Sequence, residues 1–206
     1  MRDETLGTFL DKLAAREPAP GGGATAALHA AQAAALLAMV ARYSDGPKYA
    51  EHAATIGEVL AAADVLRTEC LDLVAADAAA FGSVAAAYAL PRDTDIRKAA
   101  RSAAIAAALI TAARPPADVI AASARLTNLA EMLAPVGNRN VISDVAAAAE
   151  AIRAAAATAR INVEVNLAGI TDAAARDEYT AALAGVDQLL ARADAVSAAV
   201  RTELAR

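Results

Sequence analysis

The sequence predicts an all-α protein, and three observations lead to that prediction. Hydrophobic residues make up 58% of the 206 residues but aromatic residues only 3%, and most of the apolar excess is alanine, which has the highest helix propensity. The β-branched and aromatic residues that favour strands are concentrated in almost no segment. Prolines are few, so long stretches can continue as uninterrupted helices. We therefore expect an antiparallel bundle of long helices in one domain, residues 1–206.

Apolar spacing and chain breakers divide this sequence into helices. Leu6, Phe9, Leu10 and Leu13 lie at helical spacing on one side of the first helix, which the following prolines and glycines must end. Pro115-Pro116 is expected to interrupt a later helix. Asp93 or Thr94 can cap the helix that ends before this pair, and Thr171-Asp172 can cap the last one. The predicted helices cover approximately residues 3–16, 23–43, 48–90, 94–113, 116–133, 144–170 and 172–206.

The bulk properties exclude several classes of protein. The net charge is −5 with no cluster of basic residues, so nucleic acid is not an expected partner. The single cysteine, Cys70, excludes an internal disulfide framework and is typical of a reducing, cytoplasmic compartment. Residues 18–41 carry no charge and are long enough to cross a bilayer, but their glycines, prolines, His29 and Gln32 favour a buried central helix over a membrane span.

Alanine-rich helices bury little apolar surface per residue. Such a core needs many helix contacts or a subunit interface, and the simplest oligomer is a two-fold dimer. We therefore expect a homodimer.

The segment Pro18-Ala19-Pro20-Gly21-Gly22-Gly23 is the strongest irregular feature. Three consecutive glycines indicate positive φ angles, close approach of another part of the chain, or close approach of a ligand. They lead into a helix N-terminus, where free N–H groups suit an anion, and the Thr25 hydroxyl lies in the first turn. The alternative is a tight turn between two packed helices. The spacing of a phosphate-binding loop is absent.

A second irregular segment contains Asn138, Asn140, Ser143 and Asp144. The asparagines can both donate to and accept from a heterocyclic amide edge, and Asp144 can pair with an amidine or move protons. The alternative is plain helix capping by Ser143 or Asp144, with the asparagines in turns.

Polar residues inside two helical patterns give further candidates. Asn162 and Asn166 are four residues apart and therefore share a helix face; an interhelical hydrogen bond is the alternative to a binding role. Asp77 interrupts an apolar run and is a candidate acid or base with a raised pKa; a paired charge on the helix surface is the alternative. Lys48 can meet an anionic group. No metal-binding motif occurs, and His29 is interpreted as an interior residue.

A set of short motifs occurs in an order typical of a known family. The set comprises Phe9-Leu10, Pro18 to Gly23, Met39-Val40, Asp77 with Phe81, Pro116 to Val119, Gly137 to Asn140, Ser143-Asp144, Asn162-Val163 and Asn166-Leu167. Together they resemble the cyclodeaminase domain of the formimidoyltransferase-cyclodeaminase family, which includes stand-alone bacterial methenyltetrahydrofolate cyclohydrolases. The resemblance extends from about Thr5 to the last helix.

The resemblance implies an all-α homodimer that acts on a tetrahydrofolate derivative as substrate, with no permanently bound cofactor and no metal. Cyclodeaminases close 5-formimidoyltetrahydrofolate to the 5,10-methenyl form and release ammonia, and cyclohydrolases add water to the methenyl bridge to give 10-formyltetrahydrofolate. Asp77 or Asp144 would then carry protons. The anionic tail or another anionic group would lie near the three glycines, with Lys48, at one end of a cleft. Asn138, Asn140 and Asp144 would contact the pterin or polarise the reacting carbon.

The segment after the second helix departs from the family pattern. It contains one lysine, Lys48, where the family often has several, and an added Asp45. Two alternatives therefore stay open: the same scaffold acting on a non-folate amine or imine, and a non-catalytic helical partner protein.

Overall fold

A computed structural model describes residues 4–205, which form α-helices and short 3-10 turns and contain no strand. The all-α prediction is confirmed over this range. The helices are α1 (Leu6–Ala14), α2 (Gly22–Arg42), α3 (Ala53–Tyr88), α4 (Asp95–Leu133), α5 (Ser143–Leu167), α6 (Ala173–Leu183) and α7 (Val186–Leu204). The 3-10 turns cover Pro47–His52 and Arg139–Val141.

Helix α2 is the central element, as its uncharged sequence predicts. Most of its residues are buried, and it packs against α3, α4 and α5. The buried residues are mainly alanines, which allow the neighbouring helices to approach closely. The core therefore consists of many small side chains, supplemented by larger ones such as Leu37, Leu66, Leu126 and Ile152.

Length and composition alone would allow three parts of the described chain to cross a membrane. They are α2, the segment Pro47–Tyr88 and α4. In the structure these three segments pack against one another, and α5 also contacts α2 and α4.

Helix α4 continues through Pro115 and Pro116, so the predicted interruption at this pair is wrong. A proline in a helix removes one backbone hydrogen bond and usually kinks or ends the helix. Here both prolines are buried in the contact of α4 with the bundle. Tertiary packing thus outweighs the local penalty.

Predicted side-chain caps are present at two helix starts and absent at a third. The side chains of Thr94 and Asp172 accept backbone N–H groups at the starts of α4 and α6. The capping alternative for Ser143 and Asp144 is wrong, because the N-cap of α5 is Ile142 and no side chain caps it. The predicted last helix is divided between α6 and α7.

Helices α3 and α4 extend beyond the rest of the bundle. With 36 and 39 residues against 21 for α2, they are each longer than α2 by more than about 20 Å. Their overhanging parts pack on each other through a small separate cluster of Ala80, Val84 and Ala112. The hairpin carries exposed apolar side chains, including Tyr88 and Ile96.

Candidate functional site

A cavity of about 150 Å³ lies where the start of α2 meets α3, α4 and the end of α5. It brings together four groups of predicted site residues: the glycines, Asp77, Asn162 and Asn166. The lining residues are Pro18, Gly21, Gly22, Gly23, Asp77, Phe81, Ala112, Asn162, Val165 and Asn166. The cavity therefore collects most of the unusual residues of an otherwise alanine-rich chain.

Close packing explains two of the three consecutive glycines. A β-carbon at position 23 would overlap the carboxylate of Asp77, and one at position 22 would lie 3.2 Å from Nδ2 of Asn162. Position 21 has open space around it. Among the described residues only Gly46 has a positive φ, so the positive-φ explanation for these glycines is wrong, and close approach of side chains accounts for Gly22 and Gly23.

Asp77 is the ionisable group of the cavity. It projects from α3 and is half-buried, and this burial raises the pKa of its carboxyl group. A hydrogen bond donated by the backbone N–H of Ala24 acts in the opposite direction. The first turn of α2 thus already holds an anionic group, which the chain itself supplies.

Asn162 and Asn166 contribute the part of the lining that lies on α5. The Nδ2 atom of Asn162 donates to the carbonyl oxygen of Thr158 at 2.8 Å. The Nδ2 atom of Asn166 donates to the carbonyl oxygens of Asn162 at 2.8 Å and of Ala112 at 3.3 Å. Both side chains are half-buried and held in place by backbone carbonyls.

Thr25 stands beside the cavity rather than in its lining. Its Oγ1 donates to the carbonyl oxygen of Gly21 at 3.0 Å, which closes the first turn of α2. The hydroxyl is therefore engaged in the local structure of the helix start.

The loop with Asn138 and Asn140 lies at the opposite end of the bundle. Residues 144 and 162 are separated by about 27 Å along α5, at 1.5 Å per residue. Within one chain the structure therefore does not bring Asn138, Asn140, Ser143 and Asp144 to the cavity, and the expectation of a single cleft is wrong for the isolated chain.

Asn138 ties this loop to the end of α2. Its backbone N–H donates to Oγ of the buried Ser44 at 2.8 Å, and its Nδ2 donates to the carbonyl oxygen of Tyr43 at 2.6 Å. Its side-chain oxygen accepts the backbone N–H of Asn140 at 3.0 Å. These bonds correspond to the turn geometry that was the alternative to a binding role.

Lys48 also lies beyond the far end of α2. Its ammonium group is 5.5 Å from the ring centre of Tyr49. The helix separates it from the glycines by about 30 Å, so the two cannot contact one short anionic group within a single chain.

Three features of the cavity are missing from the site residues predicted from the sequence, although Phe81 belongs to one of the family motifs. Phe81 follows Asp77 by four residues and Val165 lies on the Asn162 face, so helical spacing could have identified both. They give the cavity mouth an apolar rim, and both are exposed. The third is the backbone carbonyl of Ala112. The prolines three and four residues later in the sequence indicate that this carbonyl lacks its usual helical donor.

Larger depressions of about 370 and 410 Å³ occur on the surface. The first contains the Arg192–Glu131 ion pair and the second the Arg125–Glu69 ion pair, and neither is lined by any of the candidate site residues predicted from the sequence. Within residues 4–205, no three His, Cys, Asp or Glu side chains come together as a metal-binding group. The smaller cavity at Asp77 is therefore the better candidate site.

Comparison with known proteins places the chain in a family. The model of the formiminotransferase-cyclodeaminase family matches residues 5–185. The chain belongs to this family. It is 41% identical to the methenyltetrahydrofolate cyclohydrolase of Methylorubrum extorquens over 95% of this chain and 93% of the relative.

Two further relatives in the family carry the cyclodeaminase name. The rat formimidoyltransferase-cyclodeaminase is 32% identical over 82% of this chain, which corresponds to 32% of that longer protein. The crystal structure of a formiminotetrahydrofolate cyclodeaminase from Thermotoga maritima superposes with a TM-score of 0.82 at 29% identity. It covers 97% of this chain and 95% of the other.

Proposed function

We propose that this protein is a folate one-carbon enzyme, a methenyltetrahydrofolate cyclohydrolase, with its reaction site in the cavity at Asp77. The observation that carries the proposal is the 41% identity to a relative of that name over nearly the full length of both chains. The cavity provides chemistry that suits the reaction. A formimidoyltetrahydrofolate cyclodeaminase activity is the second candidate, favoured by the close structural match to the Thermotoga protein.

The methenyl bridge is a carbon between two nitrogens that share a positive charge. Asp77 suits such a group, because a half-buried carboxylate stabilises a cation beside it. The pKa of Asp77 is raised by burial, which makes its carboxylate a stronger base than an exposed aspartate. Asn162 and Asn166 add amide groups to the lining of the same cavity.

The proposed reaction begins with water attacking the bridge carbon. A new C–O bond forms while a proton passes from the water to the carboxylate of Asp77, and the carbon becomes tetrahedral. The bond from this carbon to one nitrogen then breaks, and that nitrogen takes the proton from Asp77. Loss of the hydroxyl proton to solvent gives the formyl group. In the cyclodeaminase alternative, ammonia leaves from a similar tetrahedral carbon.

The size of the cavity limits what it can enclose. Pockets for drug-sized ligands usually measure about 300–1,000 Å³, whereas this one measures about 150 Å³. We infer that it holds the reacting bridge and the adjoining ring edge. The rest of the substrate would lie across the exposed rim of Phe81 and Val165.

The first experiment is a spectrophotometric assay of the purified chain. It follows loss of the methenyl chromophore from 5,10-methenyltetrahydrofolate, and in a parallel reaction its appearance from 5-formimidoyltetrahydrofolate. Turnover of the first substrate supports the cyclohydrolase, and turnover of the second alone supports the cyclodeaminase. If neither reacts and no folate binds at high micromolar concentration, the folate proposal is wrong, and a non-folate amine or imine substrate is the next to test.

We further propose a cytoplasmic homodimer of single-domain subunits, with no nucleic acid or membrane partner. The support for a dimer is the alanine-rich core together with large apolar side chains that remain exposed on one chain. Ile96 is 85% and Tyr88 is 52% exposed, and both belong to the hairpin of α3 and α4. A second copy can cover these side chains and supply apolar burial that the small core lacks.

A further inference from the structure

The two prolines inside α4 leave one backbone carbonyl without a helical donor. In an α-helix a carbonyl accepts from the N–H four residues later, and in a tighter 3-10 turn from the N–H three residues later. For Ala112 these residues are Pro116 and Pro115, neither of which has an N–H. The preceding carbonyl, of Thr111, still has the N–H of Arg114 three residues later. Pro116 removes the donor of the regular α-helical bond to Ala112, and Pro115 removes only the weaker 3-10 alternative.

The side chain of Asn166 takes the place of the missing donor. Its Nδ2 atom donates to the carbonyl oxygen of Ala112 at 3.3 Å and to that of Asn162 at 2.8 Å. Carbonyl oxygens only accept hydrogen bonds, so this nitrogen end of the amide is fixed and both its N–H groups are used. Asn166 therefore has only its Oδ1 atom left to offer to another molecule.

This arrangement occurs in the wall of the cavity. Ala112 and Asn166 both line it, as Asp77 does. A side chain that served only to join α4 to α5 would not need to stand at the cavity. Its location makes the direction of the amide relevant to binding as well as to packing.

We propose that Pro116 is a positioning residue, which keeps the carbonyl of Ala112 free to hold Asn166 as a hydrogen-bond acceptor toward the substrate. This inference rests on the proposed reaction site. The N–H that Asn166 accepts is the one that forms on the departing nitrogen when its bond to the tetrahedral carbon breaks. Because this N–H is absent from the methenyl substrate, the interaction strengthens during the reaction and contributes to kcat more than to KM.

The test compares Pro116→Ala with Pro115→Ala, a matched variant in the same buried turn. Pro116→Ala restores an N–H four residues after Ala112, which then competes with Asn166 for the carbonyl. Pro115→Ala restores an N–H whose main acceptor is Thr111. We expect kcat to fall about tenfold in Pro116→Ala, the effect of one lost hydrogen bond, with KM nearly unchanged and kcat within about twofold of wild type in Pro115→Ala.

A double-mutant cycle shows whether Pro116 acts through Asn166. Asn166→Ala alone should lower kcat, and adding Pro116→Ala to it should lower kcat no further. Equal kcat in wild type and Pro116→Ala, or additive losses in the double variant, would overturn the inference while the proposed function stands. Inactivity of the wild-type protein toward both folates would instead count against the function itself.

Asn166→Asp provides a second route should Pro116→Ala fold poorly. It keeps an acceptor oxygen but cannot donate to the carbonyls of Ala112 and Asn162. We expect kcat to fall at least as far as in Pro116→Ala, with a melting temperature close to that of Asn166→Ala. Wild-type kcat in Asn166→Asp would show that the fixed amide is not needed and would overturn the inference.

Discussion

Gly23 and Asp77 are packed so closely that a β-carbon on the glycine would overlap the carboxylate of the aspartate. The neighbouring N–H of Ala24 donates to the same carboxylate. The glycine therefore lets an acid from α3 reach the first turn of α2, and two features that stand 54 positions apart in the sequence form one site.

Replacing Gly23 by alanine tests this contact. We expect Gly23→Ala to lower the free energy of unfolding by about 1–3 kcal/mol, as overpacking does, and to reduce activity because the carboxylate of Asp77 must move. Gly21→Ala is the matched control, since a β-carbon there meets nothing within 4 Å. Its free energy of unfolding should change by less than about 1 kcal/mol. Chemical denaturation and the methenyl assay measure both effects, and equal behaviour of the two variants would contradict the account.

The raised pKa of Asp77 gives a pH dependence of activity. The proposed reaction uses the carboxylate, so kcat/KM should fall as the pH decreases through the pKa of Asp77. Burial raises that pKa, and the acid limb should therefore lie above the ordinary aspartate value of about 3.9. The profile is measured after subtraction of the uncatalysed rate. An unchanged acid limb in Asp77→Asn would assign it to another group.

Ser44 provides a test of the loop at the far end of the bundle. Its buried hydroxyl accepts from the N–H of Asn138 at 2.8 Å and donates to the carbonyl oxygen of Val40 at 2.7 Å. Ser44→Ala leaves the N–H of Asn138 without this partner and should lower the free energy of unfolding by about 1–3 kcal/mol. The exposed Ser143 is the control, and its alanine variant should stay within about 0.5 kcal/mol of wild type. Thermal unfolding that shows no difference would exclude the structural role of Ser44.

The proposed homodimer makes a prediction about the exposed hairpin. Ile96→Glu places a charge on a side chain that is 85% exposed in one chain and should weaken self-association without lowering helix content. Arg92→Glu, an exposed position that is already charged, is the control. Light scattering coupled to size exclusion measures the mass. A monomeric wild-type protein at micromolar concentration would contradict the dimer, and an unchanged dimer in Ile96→Glu would place its interface elsewhere.

Much of the fold follows from the sequence because alanine content and chain breakers act locally. The exception is α4, where Pro115 and Pro116 predict a helix break from the sequence but lie inside a continuous helix. The difference arises because burial of this turn against the bundle, and the bond from Asn166 to Ala112, exist only after the helices have packed. Helix propensity, which depends on local sequence, includes neither contribution.

The candidate site was predictable in part. Asp77, Asn162 and Asn166 are polar residues within apolar helix patterns, and such residues can be identified by spacing alone. The prediction that the glycines share one cleft with Asn138 and Asp144 was wrong for the single chain. The expected antiparallel order of the helices already predicts that the two groups lie apart. In that order the start of α2 lies beside the end of α5. Asn138 precedes α5 and Asp144 lies in its first turn, so both residues are at the opposite end of the bundle from the glycines.

The central claim is that Asp77 is the proton-transferring group of the reaction, and one comparison tests it most directly. The measurement is kcat/KM for hydrolysis of 5,10-methenyltetrahydrofolate by Asp77→Asn and by Asp144→Asn, with melting temperatures recorded for both. The account predicts a loss of about 10²- to 10⁴-fold in Asp77→Asn, the usual contribution of a general base, with a retained melting temperature because an asparagine still accepts from Ala24. Asp144→Asn should lose much less. A nearly active Asp77→Asn beside an inactive but folded Asp144→Asn would contradict the account and move the chemistry to the other end of the bundle.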